Sequence, residues 1–307
     1  MNYTEFKKEL LKQAKSRYPD AEEIQIRQIE KNNGLKMDSL MVKSKGRNIA
    51  PAIHLKHIYD AYNGWMEADE IMSNIFNELD RHDGAEFEGL AVNFFDMGWV
   101  KEHLMLKLIN KKANKAQLKD APHVNFLDLA VVFALRIEAG DTDATILVKN
   151  EHLDAWSLSK DEVFEIAKRN MQKNHPPKAI PLEEIMMQAI ERASAGEIED
   201  AGGSDHQSAF PAYVITNDGY IYGASTVVYS DILKKLAEKI GSDLIIIPSS
   251  IHEVIAYPSW IGASALNDLI KSVNATQIEP QDMLSDHAYR YIRKDDEIVY
   301  DINLTAI

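Results

Sequence analysis

Three short polar turns, each set between apolar stretches, constrain the fold of this chain most. They are Asn32-Asn33-Gly34, Asn217-Asp218-Gly219 and Lys294-Asp295-Asp296. Asn-Gly and Asp-Gly supply the positive φ that a tight hairpin needs. Around the first, Ile24 and Ile26 precede and Met37, Leu40 and Val42 follow, a half-buried alternation. Around the second, Tyr213–Thr216 faces Tyr220–Gly223, and around the third Tyr289–Arg293 faces Glu297–Ile302. Parallel strands need long crossovers, so hairpins of this kind read as antiparallel sheet.

Between the hairpins lie single amphipathic helices. Phe6, Leu10, Leu11 and Ala14 share a face within Thr4–Tyr18. Ala68, Ile71, Met72, Ile75, Phe76 and Leu79 do so within Glu67–Asp80. Further helices are expected over Phe95–Lys101, from Ser159 (a capping box with Glu162), from Pro181, over Val228–Ile240 with a stop at Gly241, and over Ser264–Val273. Strands are expected at Ile49–Leu55, His103–Asn110, Ala144–Val148, from Asp243 and around Glu253; within Phe126–Ile137, Val131, Val132 and Phe133 favour strand, with helix the open alternative. Hairpins interleaved with single helices define an α+β class, with mixed or antiparallel sheets and flanking helices. The stretch 193–208 is small, acidic and Gly-rich and reads as a mobile linker. It would join an N-terminal lobe, 1–192, to a C-terminal lobe, 209–307.

Composition narrows the chemistry. The 307 residues include no cysteine, which excludes disulfides, thiol catalysis and zinc–thiolate sites. A formal charge of -14 repels nucleic acid and anionic membranes, so neither is an expected partner. The six lysines between Lys101 and Lys119 read as a solvated loop, since no aromatic stacking pattern accompanies them. No apolar run approaches the roughly 20 residues of a membrane helix. The N-terminus lacks a secretory apolar core, so the expected location is cytoplasmic.

The candidate site is Ser249-Ser250-Ile251-His252-Glu253, placed where the apolar run Leu244–Ile247 ends at Pro248. Reactive side chains at the exit of a buried strand are a common place for a site. Beside a structural reading, in which Ser249 and Ser250 satisfy backbone groups at the strand end and His252 makes one structural hydrogen bond, two functional readings stay open. In one the cluster binds a ligand through His252 and Glu253, with Asn274 and Ser285. In the other Ser249 or Ser250 is a nucleophile, with His252 as base and Asp286 or Glu253 as orienting acid. Residues two apart on a strand stand about 7 Å apart, which opposes direct proton transfer from Ser250 to His252. No Gly-x-Ser-x-Gly elbow is present. His252-Glu253 begins a zinc-protease motif, but Ala256 stands where the second histidine belongs. His54 and His57 with Asp60 lack a compelling third ligand, so no metal and no cofactor is expected. Asn150, His152 and Trp156 read as a helix anchor. Asp128, inside a strongly apolar run, needs a partner if it is buried.

Several segments together carry a resemblance: Lys31–Gly34, Phe126–Val132, Asn150–Trp156, Ser159–Asn170, Gly241–Ile255, Val273–Thr276 and Met283–Asp286. Through them the chain resembles an uncharacterised domain-of-unknown-function family common in gut clostridia. It is more weakly similar to the YtpQ-like family of bacilli, through a helix after an Asn, Leu, Trp stretch and a C-terminal strand. The resemblance implies a bacterial intracellular protein and brings no activity or site residue. The expected function is a non-enzymatic binding or regulatory protein with an unknown protein or small-molecule partner; the alternative is the serine hydrolase above.

Overall fold

The structure is a computed structural model that describes residues 1–46, 50, 52–62, 64–81, 93–139, 142–193, 211–261 and 278–300. It is an α+β fold of antiparallel sheets, hairpins and flanking helices, as expected. Its residues fall into two compact units. One is Met1–Glu102 with Arg136–Ile146; the other is His103–Leu135 with Leu147–Ile307.

The first unit begins with α1 (Tyr3–Arg17), capped by Asn2. Its side chain accepts from the Glu5 amide at 3.0 Å, while Glu5 accepts from the Asn2 amide at 3.2 Å. Then come β1 (Ala21–Glu30) and β2 (Lys36–Ser44), an antiparallel hairpin whose turn holds Asn33 at φ 62. β3 (Ala52–His54) pairs with β2 and gives the order β1-β2-β3. The expected third strand is thus short, because Leu55 already opens α2 (Leu55–Tyr62), which is followed by α3 (Ala68–Arg81). Phe6 and Leu10 of α1, Leu40 of β2, Leu55 of α2 and Met72 and Ile75 of α3 close one core. These are the positions the helical and strand periodicities mark, and their burial drives the packing.

The chain enters the second unit as α4 (Met97–His103) runs into β4 (Leu104–Asn110). β5 (His123–Phe126) and β6 (Leu129–Ala139) form a hairpin with a two-residue turn, Leu127-Asp128, in which Leu127 has φ 55. β4 pairs with β6 on its other side, and β7 (Thr142–Leu147) also pairs with β6. α5 (Asn150–Trp156) buries Trp156, the expected anchor. α6 (Lys160–Asn174) carries the capping box read from sequence, with Ser159 and Glu162 bonded both ways at 3.2 and 2.8 Å.

The remaining elements build a six-stranded antiparallel sheet. They are β8 (Pro177–Pro181), α7 (Leu182–Ala193), β9 (Tyr213–Asn217), α8 (Thr226–Tyr229), α9 (Ile232–Ile240), β10 (Leu244–Ile247), β11 (Val254–Pro258), β12 (Tyr289–Ile292) and β13 (Glu297–Tyr300). The strand order is β13-β12-β10-β11-β9-β8. β10, all four residues buried, sits inside the sheet between β11 and β12. The final hairpin, β12 with β13, forms as expected.

Three local expectations are corrected. Tyr213–Thr216 does not pair with Tyr220–Gly223; β9 pairs with β8 and β11 instead. Asn217 accounts for this, because its side chain donates to the Ile221 carbonyl at 2.7 Å and accepts from the Ile221 amide at 3.2 Å. The turn therefore closes on itself and not into a ladder. Pro181 ends β8 and does not open the next helix. A proline is tolerated there because β8 is an edge strand. The Val228–Ile240 helix is two helices, because Ser230 is extended at φ -136. Its hydroxyl donates to the Thr226 carbonyl at 2.8 Å and accepts from the Ile232 amide at 3.3 Å. Gly241 stops α9 at φ 78, as read from sequence. The expected helix 264–273 and the linker from 194 to 208 lie outside the described residues. The strands flanking that stretch, β8 and β9, pair with one another.

Candidate functional site

The antiparallel register brings five strand ends of the second unit, those of β9 to β13, to one end of the six-stranded sheet. Ile247 pairs with Ile255, Ile246 with Tyr289, Val254 with Ile215, and Tyr289 with Tyr300. The exit of β10 is tied to residues 282–285 through backbone bonds: Ile251 amide to Asp282 carbonyl (2.8 Å), Ser285 amide to Pro248 carbonyl (3.1 Å) and Leu284 amide to Ser249 carbonyl (3.3 Å). Ser249, Ser250 and Ser285 are all buried at this end.

Within the sequence-marked cluster, Ser250 and Glu253 meet. The Ser250 hydroxyl donates to Glu253 Oε1 at 2.5 Å and accepts from the His252 amide at 3.0 Å, a local turn in which the serine satisfies backbone. The His252 ring points elsewhere. Its Nδ1 lies 3.2 Å from the Tyr220 carbonyl, and it stacks on Tyr222 with centroids 6.0 Å apart and planes 20° apart. Lys107 of β4 stands over the other ring of that pair, its Nζ 4.8 Å from the Tyr222 centroid.

The loop that carries these tyrosines is backbone-strained. Tyr220 and Tyr222 have φ 53 and 51, a region bulky residues rarely enter. Gly223 makes the loop possible. A Cβ there would run into Thr216 Oγ1 and the His252 carbonyl, which are themselves joined by a 2.8 Å hydrogen bond.

A second polar cluster occupies the same sheet end. Asp128, held by the β5–β6 turn, accepts from the Tyr289 hydroxyl at 2.5 Å and from His287 Nε2 at 3.1 Å. His287 Nδ1 lies 3.0 Å from Asp286 Oδ1, and the edges of Tyr289 and Tyr300 pack on the imidazole. Asn110, at the end of β4, donates to the Leu284 carbonyl at 2.9 Å. Burial alone would lower the His287 pKa, but its bonds to Asp128 and Asp286 outweigh that and raise it, which favours the charged ring. Burial pushes Asp128 up; the bonds from His287 and Tyr289 prevail and hold it below the usual carboxylate value. Burial and the neighbouring Asp128 drive the Tyr289 phenol well above its ordinary range.

Ser285 Oγ lies 3.1 Å from His287 Nδ1 and 3.4 Å from Nε2. An oxygen in line with one ring nitrogen would stand much farther from the other. The near-equal distances put it over the ring, where it cannot pass a proton to a nitrogen lone pair. The arrangement is an electrostatic clamp on imidazolium and not a nucleophile–base pair.

The isolated carboxylate Asp128 is thus the polar hint that finds partners, while His287 and Tyr289 were not singled out as site residues. The alternation Ser285-Asp-His287-Ala-Tyr289 at the entry to a strand was the available signal. His54 bonds Ser39 at 2.7 Å and Asp60 pairs with Lys56, so neither is turned to a shared metal. Among the described residues no group of three or more His, Asp or Glu is placed to hold a metal ion. Among them, too, no helix is long and apolar enough to cross a membrane. Asn274 lies outside the described residues.

These features define an α+β protein with two polar clusters at one sheet end. The chain belongs to the Family of unknown function (DUF5688), whose model matches residues 3–293. No curated protein and no solved structure matches it.

Proposed function

We propose that this chain is a bacterial, cytoplasmic binding or regulatory protein and not an enzyme. Its ligand docks at the sheet end around Tyr220, His252 and Glu253. The bacterial and cytoplasmic parts of the reading rest on the resemblance to the clostridial and YtpQ-like families. The observation that carries the binding part is the strained Asn217–Ser225 loop. Two tyrosines at positive φ cost about 1–3 kcal/mol each, and strain of that size is retained where it serves a site. Here it holds Tyr222 against His252 and leaves Tyr220 59% exposed beside it. An exposed tyrosine side chain whose backbone carbonyl holds an imidazole suits a planar group with a hydrogen-bonding edge.

The commitments of Ser250 to Glu253 and of His252 to Tyr220 and Tyr222 support binding over hydrolysis. A thermal-shift panel of planar metabolites, run on the wild type, Tyr220→Ala and His252→Ala, tests the reading. A compound should stabilise the wild type and lose its effect in both variants, each of which keeps near-native stability. Hydrolysis of a p-nitrophenyl ester that disappears in Ser250→Ala and in His252→Ala would overturn the proposal in favour of the hydrolase.

A further inference from the structure

β1 is a ten-residue edge strand: among the described residues it pairs with β2 alone. Past the turn bond from the Ala21 amide to the Tyr18 carbonyl, no backbone hydrogen bond from those residues reaches its outer side. Open edges of this length are templates for another strand, and proteins usually guard them with charge. β1 carries Glu22, Glu23, Arg27 and Glu30, but their order is not that of a simple guard.

A symmetric antiparallel pair of β1 strands must set residues of the same face opposite each other, because a one-residue slip would turn every side chain over. Ile24 and Ile26 face the core of the first unit, opposite Val42 and Leu40 of β2, and are only partly buried. One register suits the regular part of the strand, from Glu23 to Arg27. With Gln25 opposite Gln25 of a second copy, Glu23 meets Arg27 twice and Ile24 meets Ile26 twice, and the irregular stretch Ala21–Glu23 lies at the rim of the pairing. The neighbouring symmetric registers fail. Both part Glu23 from Arg27: one sets Glu23 against Ile29, and the other sets it against Gln25. Opposite charges across strands are favourable and like charges unfavourable.

We propose that β1 is a homodimerisation edge, joining two copies about a two-fold axis through Gln25 into one continuous six-stranded antiparallel sheet. The pairing extends the Ile24/Ile26 row across the axis, so each copy covers apolar surface the other leaves partly exposed. This inference concerns the first unit and is independent of the ligand site proposed above.

The full-length chain has no cysteine, which makes a direct test simple. In Gln25→Cys the two thiols stand directly opposite, with Cα atoms about 5 Å apart, inside the range a disulfide accepts. In Glu23→Cys they are separated by four residues of strand, about 13 Å. Mild oxidation should convert Gln25→Cys to a covalent dimer and leave Glu23→Cys uncrosslinked. Charge reversal gives a second reading by sedimentation. Glu23→Arg and Arg27→Glu should each weaken the dimer about tenfold or more, because each sets like charges opposite one another. An equimolar mixture of the two should associate again, because position 23 of one variant and position 27 of the other then carry opposite charges. A wild type that stays monomeric at about 100 µM overturns the proposal. So does equal crosslinking at both cysteine positions, or a mixture no tighter than its components.

Discussion

Replacing His287 with glutamine tests the clamp between the β5–β6 turn and the start of β12. The ring gives up two contacts with carboxylates. Asp286 is 86% exposed, so its bond contributes close to nothing after solvent screening. Asp128 is 41% exposed against 15% for His287, so its charge-assisted bond is discounted to about 1 kcal/mol. Edge contacts with Tyr289 and Tyr300, at 5.2 and 4.7 Å, add about 1 kcal/mol. The variant should therefore lose about 2 kcal/mol in urea unfolding near pH 5.5. The pH dependence carries more information. The folded pKa of His287 is raised, so its charge contribution is full below the unfolded value of about 6.5 and is lost as pH rises through the folded value. The folded pKa of Asp128 is depressed, so its contribution is present above about 3.9 and lost as pH falls through the folded value. The gap between wild type and His287→Gln should thus be widest between about pH 4 and 6.5 and shrink to the packing remainder in alkali. Asp128→Asn should show the same narrowing. A gap that is flat from pH 5 to 9, or that grows with pH, refutes an imidazolium clamp.

Gly223→Ala forces a Cβ into Thr216 Oγ1 and the His252 carbonyl, and should cost about 3 kcal/mol or more; a melting temperature within a degree of wild type would refute the close approach. Ser159→Ala removes half of the α6 capping box and should cost about 1 kcal/mol in chemical unfolding, with Ser159→Asp largely restoring it. A specific protease site placed at Gly202-Gly203 should yield, after cutting, two fragments that co-elute without denaturant, because β8 and β9 pair across the cut; separation under native conditions would refute that pairing.

The helices were legible because their signals are local. The Ser159/Glu162 box, the Gly241 stop and the α3 stripe each involve residues within a few turns of one another. The first and last hairpins were legible for the same reason. The Asn217 turn misled because its geometry is right for a hairpin while the partner of β9 is set by longer-range competition. β8, more than thirty residues upstream, and β11, nearly forty downstream, supply the ladders. Part of the site followed the same pattern. That polar residues gather at the exit of β10 was readable from Leu244–Ile247 running into Pro248. That Asp128 finds His287, 159 positions away, was not, since nothing local links a turn between β5 and β6 to the entry of β12. The orientation of His252 toward Tyr222 depends on positive-φ tyrosines, which sequence patterns do not anticipate because the conformation opposes the residue's own preference.

The boundary between the two units falls inside β6, between Leu135 and Arg136, and the chain changes unit again after Ile146. A gene fragment ending at Glu102 omits the 136–146 hairpin that the first unit contains. One ending at Ile146 adds β4, β5 and the first half of β6 without the helix α6 that packs on β4. Neither unit can be cut out, transplanted or lost as a single stretch of gene. That interleaving is in keeping with a family match that runs from residue 3 to residue 293.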